Sequence, residues 1–144
     1  MDITKKAVVA AAFLHLRSAD DVPMYEDGPD GQPDLSKKVA IELHGPGSAP
    51  YNKAQAAAQN KMLERMRRKG KVEVTAEEQR AEQVDRLVAC TVAFHHIEHP
   101  AYPGATGETL FRAVYSDPAL GFIRDQALEF IGDWGNFTPS SNAA

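Results

Sequence analysis

Val39-Ala40-Ile41-Glu42-Leu43-His44-Gly45-Pro46-Gly47-Ser48-Ala49-Pro50 decides the fold, because one backbone habit ends inside it and another begins. Residues 39–44 alternate apolar and polar side chains in part, as a half-buried strand does. Gly45-Pro46-Gly47 breaks that pattern, and Ser48 suits a helix N-cap, with Pro50 tolerated in a first turn whose N–H groups are unpaired anyway.

Towards the N-terminus, Phe13-Leu14-His15-Leu16-Arg17 reads as a second strand, to pair antiparallel with the one around Ile41. Residues 27–33, Asp-Gly-Pro-Asp-Gly-Gln-Pro, are dense in turn formers and predict an exposed loop, with residues 22–25 as a short third strand. Residues 7–12 fit strand or helix equally.

Towards the C-terminus the period changes. A helix is predicted over residues 51–69, with Tyr51, Ala58, Met62 and Met66 on one face, the two methionines suiting either core packing or a partner, and Gly70 as its stop. Thr75-Ala76-Glu77-Glu78 is a capping box opening a second helix to about Phe94, with Val84, Leu87, Val88, Thr91 and Phe94 inward. After a proline-bearing loop over residues 95–107, a third helix carries Leu110, Phe111, Val114 and Tyr115. Asp117-Pro118 matches an N-cap and first helical position for a fourth. Ile123, Ala127, Phe130, Ile131 and Trp134 share one face of that helix, and Gly132 and Gly135 suit the left-handed backbone that ends it. Trp134 and Phe137 then serve as a clasp folded back on the domain or a hook offered to a partner.

The expectation is an α+β fold, mostly α: an N-terminal antiparallel β-hairpin of two or three short strands, then about four helices. The 144 residues suffice for one domain, divided into a hairpin region (12–44), a helical region (49–134) and a tail (135–144). With 43% hydrophobic and 25% charged residues the chain reads as globular rather than disordered. The lone Cys90 cannot form an internal disulfide and points to a reducing compartment. Residues 7–16 lack a signal-peptide cleavage site and are too short to span a bilayer, so a cytosolic location without membrane contact is expected.

The net charge of -4 hides a segregation. Residues 20–34 hold six acids and no base, whereas residues 61–71 hold six bases (Lys61, Arg65, Arg67, Arg68, Lys69, Lys71) and one acid, Glu64. Arg65, Arg68 and Lys69 on one face would suit phosphates, but no aromatics interleave for base stacking, and a solvated helix end or neutralisation by the acidic loop competes.

No catalytic constellation stands out, so no enzyme activity and no cofactor are expected. His95-His96-Ile97-Glu98-His99 has imidazoles four apart, but Pro100 interrupts the helix that would aim them, so they read as polar residues at a helix end and no metal site. Cys90 lies on an apolar helix face, where a thiol behaves as a small hydrophobe. Gly45-Pro46-Gly47-Ser48 stands where a phosphate loop would but lacks its lysine, and Pro46 removes an N–H, so it reads as a turn. Glu77, Glu78 and Glu82 read as a solvated face.

In their order, Leu43-His44-Gly45-Pro46-Gly47-Ser48, Tyr51-Asn52-Lys53-Ala54-Gln55, Thr75-Ala76-Glu77-Glu78-Gln79, Leu87-Val88-Ala89-Cys90-Thr91-Val92, Tyr115-Ser116-Asp117-Pro118-Ala119-Leu120-Gly121-Phe122-Ile123 and Gly132-Asp133-Trp134-Gly135-Asn136-Phe137 resemble tail assembly chaperones of long-tailed bacteriophages. The likeness runs over roughly residues 13–137. It implies a small protein of the host cytoplasm, absent from the mature virion, that binds the helical tape-measure protein and assists assembly of tail-tube subunits. Such a chaperone needs exposed, adaptable apolar surface. Met62, Leu63, Met66, Phe130, Trp134 and Phe137 are the candidate partner-binding residues. A structural or adaptor protein of the tail, and a small nucleic-acid-binding regulator using residues 61–71, are the alternatives.

Overall fold

A computed structural model describes residues 1–70 and 74–139, the side chain of residue 69 excepted. Among the described residues five strands and four α-helices make an α+β fold with two antiparallel sheets. Strand β1 (Ala11–His15) pairs with β4 (Ala40–His44), Leu14 opposite Ile41, as the alternation predicted. Between them β2 (Tyr25–Asp27) and β3 (Pro33–Lys38) form a separate two-stranded hairpin. The turn-rich loop is therefore shorter than residues 27–33, since Asp27 and Pro33 already pair across the ladder. The expected single N-terminal hairpin is instead one pair with a second hairpin set into its connection.

The larger correction concerns the second helix. Helix α2 (Ala76–Cys90) ends well before Phe94, and Thr91–His95 is strand β5, paired with the other edge of β4. Thr91 makes the switch: its backbone turns extended (φ -84, ψ 125), and its hydroxyl donates to the Leu87 carbonyl at 2.6 Å. The same oxygen lies 2.8 Å from the Tyr115 hydroxyl, in the core. Thr91 and Phe94 do face inward, but from a strand whose β-branched and aromatic residues suit pairing.

The inner face of the sheet, with Leu14, Leu16, Ile41, Leu43 and Phe94, is covered by α2, α3 (Gly107–Ser116) and α4 (Gly121–Ile131). Leu110, Phe111, Val114 and Tyr115 of α3 are all buried, as their spacing predicted. Asp117-Pro118 does not open the fourth helix itself: Asp117 caps the 3-10 turn Pro118–Leu120, accepting the Ala119 N–H at 3.0 Å, and α4 begins only at Gly121, without a side-chain cap. Helix α1 (Ala49–Lys69) stands outside this core and packs chiefly along α2. Gly70 closes α1 in the left-handed conformation (φ 67), which glycine adopts without a Cβ penalty.

The C-terminal aromatics divide the two roles between them. Helix α4 ends at Ile131, and Gly132 stays right-handed (φ -85, ψ -8), so the expected left-handed stop is absent there; Gly135 also keeps a negative φ. The chain reverses instead through a 3-10 turn, Trp134–Phe137, capped by the Asp133 carboxylate accepting the Gly135 N–H at 2.9 Å. Phe137 is fully buried over Gly45, where a Cβ would sit 2.5 Å from the ring, and its carbonyl accepts the Val9 N–H at 2.7 Å. Phe130 packs edge-on to it, the ring centroids 5.3 Å apart. Trp134, off the helix face predicted for it, is 57% exposed. Residues 140–144 of the expected tail lie outside the described residues.

Phe137→Ala is expected to cost about 3–5 kcal/mol of unfolding free energy, as buried aromatic truncations do. Trp134→Ala should cost within about 0.5 kcal/mol, the surface value. Urea unfolding of the two variants checks this; equal losses would contradict the division of roles.

Candidate functional site

Helix α1 is built to present side chains rather than to bury them. Ser48 starts it, its hydroxyl accepting the Tyr51 N–H at 3.3 Å and donating to the Gly45 carbonyl at 2.7 Å. Gly45 and Ser48 are thus occupied by Phe137 packing and helix capping, in the turn the sequence predicted. Along α1, Tyr51, Ala54, Ala58, Lys61 and Arg65 follow 3-4-3-4 spacing, and this stripe runs antiparallel against α2. Three alanines of α1 and Ala89 line the shallow groove between the helices, their small side chains allowing close approach. The Arg86 guanidinium lies 5.0 Å from the centre of the Tyr51 ring and donates to its hydroxyl at 2.7 Å.

The cations of this stripe are spoken for. Arg65 binds Glu82 and lies 3.9 Å from Glu78; Lys61 lies 3.7 Å from Asp85, which also accepts from Arg112 at 2.8 Å. Arg68 pairs with Glu64 one turn back at 2.7 Å. Neutralisation therefore comes from α2, not from the acidic loop, whose Asp21 pairs with Arg17 and whose Asp30 and Asp34 accept N–H groups of their own turns. Glu78 and Glu82, read as a solvated face, are the partners of Arg65. Lys71 and the side chain of Lys69 lie outside the described residues.

The next stripe around the helix is open. Asn52, Gln55, Gln59, Met62 and Met66 repeat the 3-4-3-4 spacing, and Ala56 and Leu63 widen it, with no charge among the seven. Met62 (52% exposed), Leu63 (59%) and Met66 (53%) form its C-terminal half. Core packing, the competing reading of both methionines, does not occur, because α1 has one principal neighbour and only the Tyr51–Arg65 stripe meets it. At the other end, Trp134 joins Pro46, Gly47, Tyr51, Asn52, Gln55 and Gly132 around a concavity of about 510 Å³. From Asn52 to Met66 the stripe runs about 21 Å at 1.5 Å per residue.

Of the six candidate residues, Met62, Leu63, Met66 and Trp134 thus share one flank, while Phe130 and Phe137 belong to the interior. Asn52, Gln55 and Gln59 were missed. Their heptad spacing with Met62 and Met66 was present in the sequence, hidden by their polarity.

The histidine cluster disperses. His95 ends strand β5 and contacts the Phe13 ring at 5.3 Å, with its Nε2 buried and unpartnered; His96, at φ 60, lies with Nδ1 2.8 Å from the Lys38 carbonyl. His99 Nε2 lies 2.9 Å from an Asp117 carboxylate oxygen. They sit on a strand and its following loop, not at a helix end, and face three different elements. Among the described residues no three His, Cys, Asp or Glu side chains gather to hold a metal ion. Burial pushes the Cys90 thiol up from its ordinary value, which disfavours the thiolate. No helix among the described residues is long and apolar enough to cross a membrane.

No protein-family model, curated protein or solved structure matches the chain.

The hydrogen bond from His99, then that from the Ala119 N–H, hold the Asp117 carboxyl below its ordinary value of 3.8. A depressed carboxyl contributes stability that is fully present above the unfolded value and is lost as pH falls through the folded one. Asp117→Asn should therefore flatten the loss of stability on acidification below about pH 4. Thermal melts of both proteins between about pH 6 and pH 2 check this; parallel curves would contradict it.

Proposed function

We propose that this protein is a tail assembly chaperone of a long-tailed bacteriophage, holding a helix of the tape-measure protein against the open stripe of α1. The observation that carries this reading is an uncharged, methionine-bearing heptad face left unpaired on a long helix and bounded at one end by an exposed tryptophan. Amphipathic helices are recognised by grooves and faces of this kind, read at i, i+3, i+4 and i+7. Methionine side chains adapt to a succession of apolar partners, which suits a chaperone moving along a repetitive helix. The resemblance in motif order supports the same role, exercised in the host cytoplasm and ended before the virion is complete, with tail-tube subunits as the second partner.

The nucleic-acid reading has less behind it, since Lys61, Arg65 and Arg68 are already paired with carboxylates. No observation favours the structural or adaptor role.

Co-expression tests the proposal. The tape-measure protein should be recovered soluble with the wild-type chain and lost to the pellet with Met62→Glu/Leu63→Glu/Met66→Glu. These sites are about half exposed, so the variant's melting temperature should stay within a few degrees. Full rescue by a normally folded variant would overturn the reading, as would failure of the wild type to rescue.

A further inference from the structure

Around helix α1 the rows of side chains follow a fixed order. The stripe against α2 borders one side of the open face, and the row Lys53, Asn60, Arg67, at seven-residue spacing, borders the other. Lys53 and Arg67 make no ion pair among the described residues. The only acid on α1, Glu64, is engaged by Arg68. The open face is therefore apolar and amide along its centre and carries uncompensated positive charge along its one free edge.

We infer that this face takes an amphipathic helix with acidic residues along one border, two heptads apart, opposite Lys53 and Arg67. The inference rests on the reading of α1 as the partner site and adds the partner's charge pattern. An apolar helix docked there without acids would shield the two cations from water and give them nothing in exchange; carboxylates at the rim offset that loss and set the register. Gln55 and Gln59 reinforce the register, because amides in a helical seam demand polar or small residues opposite, whereas Met62 and Met66 accept aliphatic ones; the Asn52 amide already donates to the Ser48 carbonyl at 2.8 Å. A second copy of this chain does not meet the requirement. Antiparallel face-to-face pairing of two α1 helices would set Lys53 and Arg67 of one copy against those of the other, and parallel pairing would set them against the α2 border, whose carboxylates Glu78, Glu82 and Asp85 are already engaged by Arg65, Lys61 and Arg112.

Trp134 is the only tryptophan and lies at one end of the face, so its fluorescence reports docking directly. The probes are two synthetic helical peptides about three heptads long, with leucine at the core positions and no tryptophan. One carries glutamate on the border row and the other lysine. The glutamate peptide should blue-shift Trp134 and bind about tenfold more tightly than the lysine peptide at low salt, a preference that shrinks as salt rises. Lys53→Glu/Arg67→Glu should reverse the preference. Equal binding of the two peptides, no binding of either, or a dimer of the chain at micromolar concentration that the Met62→Glu/Leu63→Glu/Met66→Glu variant abolishes would each overturn the inference. Peptide binding with the charge swap, but no rescue of a tape-measure protein, would sink the chaperone reading alone. Rescue that is indifferent to the swap would sink the acidic border alone.

Discussion

Strand β4 is paired along both edges, and its inner side chains Ile41 and Leu43 retain no exposed surface. Burying an aliphatic side chain of that size stabilises a fold by about 1.5–3 kcal/mol, provided something apolar covers it. Helices α2, α3 and α4 provide the cover, and the Tyr115 hydroxyl reaches the Thr91 hydroxyl where helix gives way to strand. The C-terminal turn completes the enclosure by seating Phe137 on Gly45 at the end of the same strand. A glycine is required there because the ring occupies the space of a side chain.

That enclosure leaves α1 free for other work. Among the described residues the core takes only Tyr51 and Ala54 from α1, so one stripe of contacts with α2 suffices to hold the helix, and ion pairs anchor the far end of that contact through Arg65. Arg65, Glu78 and Glu82 are partly shielded, which makes their pairing worth more than a fully exposed bridge. The same pairing alters the electrostatic character of the helix. A stretch that looks strongly basic on paper presents a neutralised side to α2 and an uncharged side to solvent, with Lys53 and Arg67 left at the margin.

The aromatic tail and the histidines follow one rule, that neighbours in the chain serve different masters. Phe137 locks the turn down while Trp134, three residues earlier, stays in solvent beside the open stripe. His95, His96 and His99 hold β1, β3 and the α3–α4 junction respectively, so proximity in sequence does not become proximity of ring nitrogens.

Features that depend on a few consecutive residues were legible in the sequence. The strand–turn–helix change at residues 39–50, the caps at Ser48, Thr75 and Asp117, the stop at Gly70 and the buried set on α3 all rest on bonds or spacings within about one helical turn. Even the antiparallel partnership of Leu14 with Ile41 followed from two local alternations. Strand β5 was not legible, because Thr91-Val92-Ala93-Phe94-His95 suits helix or strand alike and the vacant edge of β4, distant in the chain, settles which. Nor was the exposure of Met62 and Met66, the burial of Phe137 in preference to Trp134, or the neutralisation of Arg65 by α2. Periodicity says which side chains share a face; whether that face is covered depends on the surface that arrives opposite it, and that surface comes from elsewhere in the chain.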